Sequence, residues 1–140
     1  MERRVLFISP RPEDAALISR MLAPAFIRCD HVAGYQEARR RLAEECYGSI
    51  LTEANLVDGD WRDVLGLALG LDATPAVIVT HRFADEGFWD EVLNLGCYDM
   101  LAQPFDPREV RRIVTLACSQ VPSKPVSGMT PGLRTASAAS

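Results

Sequence analysis

The residue types that do chemistry are few in this chain and widely spaced. Two histidines, His31 and His81, and four cysteines, Cys29, Cys46, Cys97 and Cys118, are its soft metal ligands. No two cysteines form a C-x-x-C pair, so no zinc pattern can be written, and each reads as a small buried hydrophobe rather than half of a disulfide. No nucleophile–base pair is evident, with His81 the lone candidate base, and it reads as a loop residue. Ser9-Pro10-Arg11-Pro12 is stiff and poor in N–H groups, the opposite of a glycine-rich phosphate loop. The carboxylate of interest is Glu53, which closes an apolar run and opens Glu53-Ala54-Asn55-Leu56-Val57-Asp58-Gly59-Asp60. The expectation is a chain that is not an enzyme and holds neither metal nor cofactor.

The elements that must position these residues are legible as a pattern. Residues 5–8, 49–51 and 76–79 are near-continuous apolar runs, as parallel strands covered on both faces require. Residues 27–32 mix Arg28, Asp30 and His31 with apolar side chains, which suits an edge strand, and 98–102 is a fifth candidate. Between them the spacing predicts helices. Pro12 suits a first helical position, Glu13 and Asp14 favour the positive end of the helix dipole, and Leu17, Ile18, Met21 and Leu22 form one apolar face. A second helix over 35–46 and a fourth over 85–95 are followed by Gly48 and Gly96, both expected as C-caps. Asp60 is placed to cap a third helix from Trp61. Asp106-Pro107-Arg108-Glu109 opens a fifth that runs through Cys118.

Five βα units in residues 1–118 imply one α/β domain, a three-layer sandwich around a parallel sheet. Right-handed crossovers favour the flavodoxin-like strand order 2-1-3-4-5 with five helices. Residues 119–140 are rich in Ser, Pro, Ala, Thr and Gly and read as a disordered tail or linker. In such a sheet a site forms outside the carboxyl ends of the strands. Those ends carry Ser9 and Pro10, Glu53, Thr80 and His81, and Gln103 before Pro104.

Bulk properties narrow the classes. The 140 residues are 48% hydrophobic and 24% charged, an ordinary globular balance, and the net charge of −4 argues against direct binding of nucleic acid. Arg39-Arg40-Arg41 is a basic run that reads as a solvated helix face. No apolar stretch approaches the length of a membrane span, and the run after Arg3 and Arg4 is too short for a signal peptide, so the cytoplasm is the expected location. Gly66 and Gly70 make a G-x-x-x-G, read here as close helix packing.

At this point a resemblance becomes specific. Glu53 to Asp60 resembles the phosphoacceptor loop of response-regulator receivers, the CheY-like domains, in which an Asp opens such a segment. Gly96-Cys97-Tyr98-Asp99-Met100-Leu101-Ala102-Gln103-Pro104-Phe105 is similar to the family's G-A-x-D-Y-L-x-K-P-F, and Val77-Ile78-Val79-Thr80 to its fourth strand with a terminal Thr. The register spans residues 4–118. What the resemblance implies is a receiver whose chemistry is dismantled. The acidic pair that holds Mg²⁺ is matched by Ser9 and Pro10, the phosphoacceptor Asp by Glu53, the Lys by Gln103 and the switch aromatic by Met100. Only Thr80 keeps its type. Magnesium needs hard oxygen ligands, usually with one or two carboxylates, and a phosphoryl group needs a cation beside it. Two readings of Glu53 stay open: a built-in mimic of the phosphorylated state, or a relic. Its single charge, against roughly two for a phosphoryl group, favours the relic. Arg11 is expected to reach Glu53 as an ion pair, and Gln103–Pro104 is expected to be cis, as the Lys-Pro bond commonly is in the family.

The expected function is an atypical receiver domain of two-component phosphorelay signalling that works through phosphorylation-independent binding. Its partner is expected to be a kinase, regulator or output domain. The expected contact surface is the fourth helix, fifth strand and fifth helix, carrying Trp89, Asp90, Phe105, Arg108, Arg111 and Arg112. An acidic fourth helix (Asp85, Glu86, Asp90, Glu91) beside a basic fifth also suits an isologous homodimer. The alternative for these charges is an ordinary solvated face. Phe88, Trp89 and Phe105 read as partner anchors or as core. The competing functions are a conventional phosphorylated regulator with a tolerant site, or a small-ligand-binding flavodoxin-like domain.

Overall fold

Period-two alternation splits each apolar run between two faces, and the fold follows from covering both. The structure is a computed structural model that describes residues 3–82 and 86–119. Its elements are β1 (Arg3–Ile8), α1 (Pro12–Leu22), β2 (Ile27–Val32), α2 (Tyr35–Glu44), β3 (Ser49–Glu53), α3 (Trp61–Leu69), β4 (Ala76–His81), α4 (Glu86–Asn94), β5 (Asp99–Ala102) and α5 (Pro107–Ser119). The five strands are parallel in the order β2-β1-β3-β4-β5, with β2 at one edge as its mixed sequence predicts. Leu6, Ile8, Ile50, Val77, Val79 and Met100 face α2, α3 and α4. Val5, Phe7, Leu51, Ile78 and Leu101 face α1 and α5. This is the three-layer α/β sandwich expected from the pattern.

The punctuation holds at most helix ends. Pro12 lies in the first turn of α1 with Glu13 and Asp14 behind it. Asp60 caps α3 and forms a capping box with Asp63, whose carboxylate accepts the Asp60 N–H at 3.0 Å. Gly96 follows α4 at φ 113°, a conformation that penalises any Cβ. Gly48 departs from expectation. Helix α2 stops at Glu44, because Glu45 turns extended and its carboxylate pairs with Arg4 and Arg41. Gly48 therefore caps nothing; a Cβ there would stand 3.2 Å from the Cys118 Sγ, so glycine answers to close packing. The G-x-x-x-G of α3 is the converse case. Nothing lies within 4 Å of a Cβ built at Gly66, so no tight helix contact explains it.

Four further differences have local causes. Pro24 tightens the end of α1 into a 3₁₀ turn, Ala23–Ala25, after which Phe26 takes a left-handed conformation. Asn55–Leu56 pairs antiparallel with Gly59–Asp60 in a short ribbon between β3 and α3. His81 is not a loop residue but the last of β4. Of the cysteines only Cys97 is buried; Cys29 and Cys118 are half-buried and Cys46 is exposed. The start of α4 expected at Asp85 and the tail over 120–140 lie outside the described residues. Among those described, no helix is long and apolar enough to cross a membrane.

Candidate functional site

The carboxyl ends of β1, β3, β4 and β5 lie side by side because the strands are parallel and in register: Ile8 pairs with Thr52, Glu53 with Thr80, and His81 with Ala102. Ser9 follows β1 and is fully buried; its N–H donates to the Val32 carbonyl at 3.0 Å. The His31 ring Nε2 donates to the Ser9 carbonyl at 2.7 Å, since that oxygen can only accept. Ser9 is thus clamped from β2 before its side chain makes any contact.

That side chain is the centre of the site. The Ser9 hydroxyl donates to the Glu53 carboxylate, and its oxygen accepts the Arg11 N–H at 3.1 Å. The expected Arg11–Glu53 ion pair is not what forms: Arg11 meets the site through its backbone, and the neutral serine takes the carboxylate. Pro10 presents no side-chain ligand atom. Across the sheet Thr80 is buried at the end of β4, and its hydroxyl accepts from the Gln103 amide at 3.3 Å. Gln103–Pro104 is cis, as expected. Met100 is fully buried against α2–α4 and offers no ring to swing outward. Ser9, Glu53, Thr80 and Gln103 therefore close on one another in two neutral-donor pairs.

A magnesium ion does not fit this donor set. The Ser9 hydroxyl proton already points at Glu53, and the remaining first-strand position is a proline. Among the described residues no group of three or more His, Cys, Asp or Glu is placed to share a metal. A phosphoryl group would also find no lysine: an amide in hydrogen bond with a hydroxyl stands there.

Beside these pairs lies a cavity of about 470 Å³, lined by Asp14, Leu17, Arg82, Gln103, Pro104 and Phe105. Arg82 approaches Asp14 to 3.5 Å, an ion pair by distance, yet the buried Asp14 Oδ2 has no hydrogen-bond partner among the described residues. The two were missed in the sequence because neither belongs to a motif; only the helical phase of Asp14 and the place of Arg82 just after β4 would have indicated them.

The expected contact surface is only partly assembled as expected. Trp89 is 38% exposed on α4 with Leu93 at 40% one turn on, and Asp90, Arg108 and Arg112 are exposed. Arg111 must be withdrawn from that face: it donates to the Met21 carbonyl at 3.3 Å, reaching α1 on the other side of α5. Glu91 faces α3, in an ion pair with Arg62. Phe88 packs between Trp61 and His81, with ring centroids at 6.0 and 4.8 Å. Phe105 is half-buried, edge-on to Phe7. Of the three aromatics, only Trp89 is exposed.

No family model and no curated protein matches the chain in sequence. Solved structures do match in fold. The receiver domain of the sensor histidine kinase PA1611 from Pseudomonas aeruginosa PAO1, with magnesium coordinated in its active-site cleft, superposes with a TM-score of 0.73 at 24% identity, over 86% of this chain and 100% of that one. A sensor protein from Polaromonas sp. JS666 gives 0.75 at 22%, over 84% and 97%. The chemotaxis response regulator CheY4 of Vibrio cholerae gives 0.73 at 16%, over 84% and 99%. At these identities the likeness establishes fold alone. The chain has the fold of the response-regulator receiver domains, the CheY-like α/β sandwich.

Proposed function

We propose that this chain is a receiver-like domain of two-component signal transduction that acts by binding other proteins, without phosphorylation of its own. The fold it shares with receivers of sensor kinases and response regulators supports the signalling role. One observation carries the second half: the Glu53 carboxylate is engaged by the neutral Ser9 hydroxyl, where magnesium chemistry would require a second acid. The Gln103–Thr80 hydrogen bond supports it from the other side, since an amide supplies no charge to a phosphoryl group. Glu53 then works as a structural acceptor, the relic reading rather than the mimic.

The partner is a kinase, a regulator or an output domain. The α4–β5–α5 face is the contact surface, with Trp89 and Leu93 exposed on α4 as apolar anchors and Arg108 and Arg112 exposed on α5. The same face serves a homodimer if acid on α4 meets base on α5 across a two-fold axis.

The experiment is a titration of the whole chain with beryllofluoride and millimolar Mg²⁺. It is followed by tryptophan fluorescence, because Trp61 is buried at the start of α3 beside the Glu53 loop. The expected result is no saturable change. A saturable, Mg²⁺-dependent change would restore the conventional regulator and overturn this reading.

A further inference from the structure

Helix α2 has no cap of its own. Gly34 at its N-cap position brings no side chain, and two of its unsatisfied N–H groups look elsewhere. Tyr35 and Gln36 donate to the two oxygens of the Asp58 carboxylate, at 2.7 and 3.0 Å, from the tip of the ribbon between β3 and α3. A Cβ at Gly34 would stand 2.7 Å from Asp58 Oδ1. Gly34 has φ −160°, open to any residue, so glycine here makes room for Asp58 and meets no backbone demand. The two N–H bonds hold the Asp58 carboxyl below its usual range.

The ribbon is otherwise lightly held. Asn55 and Asp58 are exposed, Val57 is 94% exposed, and only Leu56 packs partly against the core. Its base is firm: the Trp61 N–H donates to the Ala54 carbonyl, and the Ala54 N–H to the Thr80 carbonyl, each at 3.0 Å. Trp61 is buried and α3 behind it is capped by Asp60. A segment with few buried apolar contacts and solvent-exposed hydrogen bonds belongs to the low-stability end of a domain, where local opening occurs. Here one carboxylate ties the tip, and the hinge residue Ala54 directly follows Glu53.

We propose that residues 55–59 are a latch, closed by Asp58 on the amino end of α2 and hinged at Ala54 and at Asp60, which α3 holds in its capping box. Its opening is the conformational change this domain offers a protein partner. It needs no phosphoryl group, and it stands on its own geometry, so beryllofluoride tests the pocket while the variants below test the latch.

The test is amide relaxation by ¹⁵N NMR on the full chain, in wild type, Asp58→Asn and Gly34→Ala. The first substitution removes the charge; the second keeps it and forces it aside. In wild type, residues 55–59 are expected at an order parameter of about 0.85, falling below about 0.6 in both variants, with Ala54, Asp60 and Trp61 unchanged. Hydrogen exchange at Tyr35 and Gln36 rises on the order of tenfold or more. If residues 55–59 stay rigid in either variant, Asp58 is only a helix cap and the latch is overturned.

Discussion

Ser9 donates its hydroxyl to Glu53 across the adjacent ends of β1 and β3. The bond sets one anion against a neutral donor, where holding a magnesium ion would call for a second anion. It follows that charge, not shape, is what this pocket lacks. Restoring the residue types by Ser9→Asp, Pro10→Asp, Glu53→Asp and Gln103→Lys together is expected to create magnesium binding. Tenfold above its dissociation constant the metal would add about 1.4 kcal/mol to stability. Gln103→Lys alone is expected to add none. Calorimetric titration with MgCl₂ reads both; binding by the wild type at similar affinity would contradict the charge argument.

The opposite end of β1 carries a network with a pH signature. Asp30 on β2 accepts the Tyr47 hydroxyl at 2.7 Å and Arg4 at 2.8 Å, with Arg28 at 3.0 Å. Burial works against its charged form, yet the Tyr47 and Arg4 hydrogen bonds outweigh it, and the carboxyl sits below its usual range. A depressed carboxyl contributes stability above its unfolded value and loses it as pH falls through the folded one. Asp30→Asn is therefore expected to cost about 1–3 kcal/mol near neutrality. The gap should close toward acid. Urea denaturation of both proteins along a pH series measures it; a gap independent of pH would assign the loss to packing instead.

The sheet was legible because a buried parallel strand has nowhere to hide polar residues, so 5–8, 49–51 and 76–79 announce themselves. The strand-end residues followed from topology: Ser9, Glu53, Thr80 and Gln103 do converge. Their pairing was not legible. Whether Glu53 meets Arg11 or Ser9 depends on a hydroxyl rotamer and the path of a Pro-flanked backbone, which no spacing encodes. Arg111 failed for a related reason. Three arginines on one helix look alike in sequence, but the helical phase turns this one toward α1. Asp58 capping α2 from a different element is also invisible, because capping rules look only at local neighbours.

Phe26 stores strain that the fold does not use. It is left-handed at φ 57°, ψ 39°, and 88% exposed, so little of its ring is buried. A bulky residue in that region costs about 1 kcal/mol, and Asn tolerates it better. Phe26→Asn is expected to stabilise the domain by about 0.5–1 kcal/mol. Phe26→Ala removes the ring but keeps the backbone strain, and is expected to be neutral. Thermal denaturation separates the two, and a loss of stability in Phe26→Ala would show that the ring has a structural contact.

The cysteines give a reactivity order that follows from burial. Burial pushes the Cys97 thiol up to about 12, and burial together with the charge of Asp30 does the same for Cys29. At about pH 8 each is then ionised to about one part in 10⁴, more than a thousandfold less than an ordinary thiol. Cys118 is also raised by burial, which outweighs its contact with Ser49. Cys46 is exposed just past the end of α2, where reagent reaches it directly. Iodoacetamide at about pH 8 is expected to alkylate Cys46 first, leaving Cys29 and Cys97 to react only through opening of the fold. Peptide mass spectrometry over a time course resolves the sites, and unfolding in urea should bring all four to a common rate. Native Cys97 reacting as fast as Cys46 would mean that the α4–β5 end of the core opens far more readily than its packing implies.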